Sequence, residues 1–201
     1  MKRLAVYCGS SFGASDAYKD GAIQLGKELA KRNITLVYGG SSNGLMGAVA
    51  DTVLQEGGKV IGVIPKVLVD REISHTGLTE LFTVDTMHER KAKMADLSDG
   101  FVVLPGGTGT LEEYFEVFTW GQVGLHQKPC GLLNIQHYYD PLLSLFDHMF
   151  EQKFLQDKFR SMILVAEKPD ALIDQFDHYA APPVKSWAKQ KQGDGSHASE
   201  A

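Results

Sequence analysis

The segment PGGTGTLEE, Pro105 to Glu113, joins two chemistries that ordinarily oppose each other. A glycine-rich turn offers backbone N–H groups to an anion, and Gly106, Gly107, Thr108, Gly109 and Thr110 compose such a turn. Glu112 and Glu113 follow at once and would repel the same anion at contact. Upstream, the stretch MHERKAKMADLSD carries Arg90 and Lys91 at the start of a helical segment. Arg supplies a planar, permanently charged fork for phosphate or carboxylate, and Lys a mobile point charge. The two chemistries are compatible if the loop and a cation hold the phosphate end of a ligand while a carboxylate works at a distance. That carboxylate could then stabilise an oxocarbenium-like centre or position water, which suits cleavage of a glycosidic bond in a nucleotide.

A plainer account exists for each of these residues. Thr110 followed three residues later by Glu113 has the form of a capping box at a helix start, and an acidic Glu112 in a first turn would favour the helix dipole. Arg90 and Lys91 fit a solvated basic face equally well. Established nucleotide fingerprints do not fit. GGSSNGLM sets Gly39 and Gly44 at P-loop spacing, but Leu45 stands where the lysine belongs, and GTGTLE has Glu112 in place of the third glycine of a dinucleotide motif. The seven histidines form no HExxH pattern, and the two cysteines, Cys8 and Cys130, form no CxxC pair, so no metal site is expected. Both thiols lie in or beside apolar runs, where cysteine acts as a small hydrophobe.

Apolar runs alternate with helical segments along the chain: LAVYCGSS, then 16–32; TLVYGGSS, then 44–55; KVIGVIP; then 87–97; GFVVLPGG, then 110–121. KPCGLLNI and SMILVAEK add strands, each followed by a helix. Continuously apolar strands separated by helices indicate a mostly parallel sheet covered on both faces, a doubly wound, Rossmann-like α/β fold. The turns CGSS, YGGSSNGLMG and PGGTGTLEE all fall at carboxyl ends of strands, where open α/β sheets bind ligands. One domain over residues 1–180 is expected, followed by a polar, mobile tail over 181–201. A net charge of −5 argues against nucleic acid as a partner. No run approaches the ~20 apolar residues of a membrane span, and the amino-terminal apolar run is too short for a signal peptide, so a cytoplasmic protein is expected.

PGGTGTLEE and MHERKAKM match, in order, the PGGxGTxxE and Arg-Lys signatures of the LOG (Lonely Guy) family, and the chain resembles that family from YCGSS to about Tyr179. The resemblance implies a cytokinin riboside 5'-monophosphate phosphoribohydrolase, which releases free base and ribose 5-phosphate from N6-modified adenosine 5'-monophosphate, or from AMP, without a redox cofactor. By motif position Arg90 and Glu113 would be the catalytic pair. Glu72, Arg90, Lys91, Gly106, Gly107, Thr108, Gly109, Thr110, Leu111, Glu112 and Thr119 would bind substrate, with 106–110 cradling the phosphate. Glu72 reads alternatively as a solvated loop charge, and Met87 either touches the purine or belongs to the core. Ser41 departs from the three consecutive glycines of relatives and would alter the pocket's shape or add a hydroxyl to it. The resemblance also implies a homodimer. The label lysine decarboxylase, used for similar proteins, would require a Schiff-base lysine that no feature of the sequence demands. A non-catalytic nucleotide or cofactor carrier of the same fold is the competing reading.

Overall fold

In a computed structural model of the chain, which describes residues 1–69 and 74–183, one sheet of seven parallel strands organises the molecule. Glu72 and the tail from residue 184 lie outside the described residues. The strands are β1 (Arg3–Tyr7), β2 (Thr35–Tyr38), β3 (Val60–Pro65), β4 (Glu80–Val84), β5 (Gly100–Val103), β6 (Cys130–Leu133) and β7 (Leu164–Ala166). The helices are α1 (Asp16–Lys31), α2 (Gly44–Gln55), α3 (Lys66–Val69), α4 (Met87–Leu97), α5 (Thr108–Gln122), α6 (Asp140–Glu151) and α7 (Pro169–Asp177).

The apolar runs become strands buried on both faces because alternate side chains enter two separate cores. Along β1, Leu4 and Val6 join Leu25, Val49 and Leu172 of α1, α2 and α7 on one face. Ala5 and Tyr7 join Met94, Tyr114 and Phe146 of α4, α5 and α6 on the other. The strand order is β4-β3-β2-β1-β5-β6-β7. The chain therefore winds outward from β1 to β4, then returns to the opposite side of β1 with β5, where Leu4 pairs with Gly100 and Tyr7 with Val103. That reversal opens a crevice beyond the carboxyl ends of β1 and β5.

Besides the short helix α3, which the sequence reading did not include, two departures stand out. The edge strand β4 was not anticipated because LTELFTV is no continuous apolar run; β4 pairs only with β3 and leaves Leu81 40% exposed. The second departure is the start of α5, at Thr108 rather than Thr110. Helix α4 begins where expected, with Thr86 Oγ1 accepting the Glu89 N–H at 3.1 Å and Glu89 Oε2 accepting the Asp85 N–H at 2.9 Å. Among the described residues no helix is long and apolar enough to cross a membrane.

Candidate active site

A cavity of about 340 Å³ occupies the crevice. Its walls come from the three turns that follow β1, β2 and β5, through Cys8, Gly9, Ser10, Gly39, Gly107, Thr108, Gly109 and Thr110. Helices α4 and α5 add Met87, Arg90, Met94, Glu112 and Glu113, and α2 adds Met46.

The earlier start of α5 decides between the two accounts of the carboxylates. Its N-cap is Gly107, which has no side chain to accept an amide, and its first turn holds no acidic residue. Thr110 is thus the third helical residue and Glu113 the sixth, so the capping-box reading of this pair does not hold. Glu112, the fifth, lies past the turn in which the dipole acts most strongly. The first amides of the helix keep no side-chain cap, which leaves a positive helix end open to an anion at the cavity wall.

Glu113 projects from the next turn into the same cavity with its side chain only 12% exposed. Burial pushes its carboxyl from 4.5 up to about 7, opposed chiefly by the positive charge of Arg90 and reinforced by the neighbouring Glu112. Arg90 reaches it from α4. Its Nε donates to the Val63 carbonyl at 3.2 Å, and its Nη1 stands 3.6 Å from Glu113 Oε1. That separation is an ion pair longer than a hydrogen bond, so both groups retain capacity for a ligand. Gly39 makes the path possible: a Cβ there would fall 1.9 Å from Arg90 Nη2. Gly106 is required in the same sense, since its Cβ would meet Thr110 Oγ1 at 2.1 Å and the Gly9 nitrogen at 2.8 Å.

The structure does not bring all the residues singled out in the sequence to this cavity. Lys91 is buried between Glu112 and Glu116, with Nζ 3.1 Å from Glu116 Oε1. Burial works against its charge, but the hydrogen bonds from both carboxylates outweigh it and raise its pKa. It ties α4 to α5 next to the Arg90–Glu113 pair rather than lining the cavity. Leu111 packs on the core of α4, α5 and α6. Gly106 is not among the lining residues, and Thr119 is exposed about 16 Å along α5 from its start. Ser41 is buried outside the cavity lining, its Oγ accepting the Asn43 N–H at 3.1 Å, so it completes the turn rather than adding a hydroxyl to the pocket.

Met87 is 45% exposed and lines the cavity, not the core. Met46 and Met94 join it on the wall without having been marked in the sequence, because a helical methionine there has the spacing of any core residue. Cys8 also lines the cavity, and burial pushes its thiol pKa up, which favours the neutral thiol over a thiolate. Among the described residues no lysine lines the cavity, and no group of three or more His, Cys, Asp and Glu side chains is placed to hold a metal ion.

A doubly wound α/β protein with a carboxylate–guanidinium pair facing an uncapped helix end at the sheet's switch point is the class this geometry defines. A family model described as "Possible lysine decarboxylase" matches residues 46–176. The chain is 48% identical over 198 residues to the cytokinin riboside 5'-monophosphate phosphoribohydrolase LOG1 of Arabidopsis thaliana, covering 96% of this chain and 93% of that one. It is 50% identical over 191 residues to the probable cytokinin riboside 5'-monophosphate phosphoribohydrolase LOGL2 of Oryza sativa subsp. japonica, covering 95% of this chain and 78% of that one. The chain belongs to the LOG family. Among solved structures, the molybdenum cofactor binding protein of the phototrophic bacterium Rippkaea orientalis superposes with a TM-score of 0.67 at 20% identity, covering 89% of this chain and 97% of that one. The Moco carrier protein from Chlamydomonas reinhardtii does so with the same TM-score and identity, covering 89% and 96%. At that identity the two share the fold alone.

The raised pKa of Glu113 makes stability depend on pH in a defined direction. A carboxyl whose folded pKa lies above its unfolded value contributes fully below about 4.5 and loses that contribution as pH rises through about 7. Relative to wild type, Glu113→Gln should therefore gain stability between pH 5 and pH 8, by at most about 3 kcal/mol. Paired chemical denaturation at the two pH values checks this; an offset that does not change with pH would show that Glu113 is not desolvated.

Proposed function

We propose that this protein hydrolyses the N-glycosidic bond of adenosine 5'-monophosphates, N6-modified or plain, to free base and ribose 5-phosphate. The observation that carries the reading is the buried Glu113 carboxylate beside Arg90, in one cavity with the uncapped amino end of α5. The relatives' printed activity supports it. The cavity volume of about 340 Å³ lies within the range of small-ligand sites.

The anionic end of the nucleotide is assigned to the amides of residues 107–110, with Ser10 on the facing turn. At the other end, Met46, Met87 and Met94 offer flexible thioether contacts suited to a purine and an apolar N6 substituent. Glu113 is assigned to C1' of the ribose. As the C1'–N bond breaks, its carboxylate stabilises the developing positive charge or takes a proton from the attacking water; the water oxygen bonds to C1', the base leaves with the electron pair of the broken bond, and the proton lost by water ends on the departing nitrogen, giving the neutral free base. A pKa near 7 suits proton transfer at neutral pH. Arg90, held by the Val63 carbonyl, orients the nucleotide and keeps part of the Glu113 population ionised. Lys91 and Glu112 act on the pair from the side, through charge.

A homodimer belongs to the same proposal, supported by the apolar exposure of Leu81 on the edge strand β4. Light scattering should give a mass near twice 22.1 kDa.

Chromatography of products from AMP and from isopentenyladenosine 5'-monophosphate tests the central claim. Wild type should release free base and ribose 5-phosphate, and Glu113→Gln should reduce turnover at least about 10³-fold with nucleotide binding retained. Recovery of intact, bound nucleotide from wild type would instead establish a carrier. The value of kcat/KM should fall below pH about 7, where Glu113 gains its proton. In Glu112→Gln that limb should move to lower pH, because a neighbouring negative charge is gone; a limb that stays in place would assign the titration to the substrate phosphate. Gly39→Ala should displace the Arg90 tip without unfolding the chain and lower kcat/KM about 10²-fold.

A further inference from the structure

The loop after β5 is held by its carbonyl oxygens, and two adjacent tyrosines supply most of the hold. Tyr139 Oη donates to the Leu104 carbonyl at 2.6 Å, the Gly9 N–H donates to the Pro105 carbonyl at 3.0 Å, and Tyr138 Oη donates to the Gly106 carbonyl at 2.6 Å. Three consecutive carbonyls are thus captured by donors from the turns after β1 and β6. In a planar trans peptide the C=O of one residue and the N–H of the next point in opposite directions. Fixing the Gly106 oxygen toward Tyr138 therefore fixes the Gly107 N–H on the opposite side, and Gly107 lines the cavity. The bond joins two glycines, so without such an anchor the steric barrier to flipping this peptide plane is at its lowest.

The turn that presents the tyrosines is strained. Gln136 and His137 hold φ of +54° and +56°, in the left-handed region that non-glycine residues avoid. Asn134 braces the turn, accepting the Tyr139 N–H at 2.7 Å and donating to Asp140 Oδ1 at 2.8 Å. Such strain persists where surrounding contacts over-determine it, commonly beside functional sites. Tyr139 is buried, whereas Tyr138 is 39% exposed and packs edge-on against Tyr18 and Tyr139. Neither lines the cavity.

We propose that Tyr138 is a positioning residue for the phosphate end of the site, locking the Gly106–Gly107 peptide so that the Gly107 amide faces the anion, with Tyr139 as the buried strut of the same turn. This rests on the assignment of residues 107–110 to the phosphate. Tyr138→Phe keeps the ring and its packing and removes only the donor. In the full-length chain, the KM for AMP and the inhibition constant of inorganic phosphate should each rise about tenfold, with kcat altered less than about twofold. The pH at which the acid limb of kcat/KM falls should not move. Unchanged KM and phosphate inhibition would overturn the proposal, as would a loss confined to kcat or to the fraction of folded protein. Calorimetric binding of AMP to both proteins separates this inference from the hydrolase reading: weaker binding in the variant supports Tyr138 even if wild type releases no base, and equal binding removes it even if wild type is active.

Discussion

A carboxylate taken out of water next to one guanidinium is the constraint on which the site depends. Glu113 is neither fully paired nor solvated; it stands 3.6 Å from Arg90 inside a cavity that raises its pKa to about 7. A closer pair would hold it ionised and occupied, and a solvated one would leave it an ordinary acid. The intermediate distance follows from backbone, because Arg90 passes the end of β2 only where Gly39 carries no side chain and is tethered at Nε by the end of β3.

The surrounding polar groups keep that pair in place. Lys91 sits between Glu112 and Glu116 and fastens α4 to α5 one residue away from Arg90 on one helix and from Glu113 on the other. Breaking a buried ion pair by removing one partner leaves an uncompensated charge, which is far costlier than losing a surface bridge. On the opposite side, captured carbonyls at Leu104, Pro105 and Gly106 set the loop that precedes α5. One helix thus carries both uncapped amides at its start and the buried carboxylate one turn further in. This spacing removes the apparent conflict within PGGTGTLEE: the amides and Glu113 share a helix but stand at different points of the cavity wall.

Most of the architecture was legible in the residues. Buried parallel strands read as unbroken apolar runs, and small residues at their carboxyl ends marked the crevice before any coordinates. Strand β4 escaped because an edge strand buried on one side only need not be continuously apolar. The register of α5 escaped for a related reason: with no side chain at the N-cap, the helix start leaves no local signal, while Thr110 and Glu113 imitate one. Lys91 was placed in the crevice with Arg90, yet adjacent helical residues point about 100° apart, and only packing shows that Arg90 is the one on the cavity wall.

Sequence alone determined the alternation of strand and helix, the placing of three small-residue turns at carboxyl ends of strands, and the residue types available there, since hydrophobic period and turn chemistry are local properties. Tertiary structure decided which of those residues meet. It decided for a buried Glu113 carboxylate over a helix cap, set Lys91 as an interhelical tie beside the cavity and Met87 on the cavity wall, and brought Tyr138 to a loop 32 residues away in the chain. Burial and charge pairing depend on three-dimensional proximity, so no local pattern encodes them.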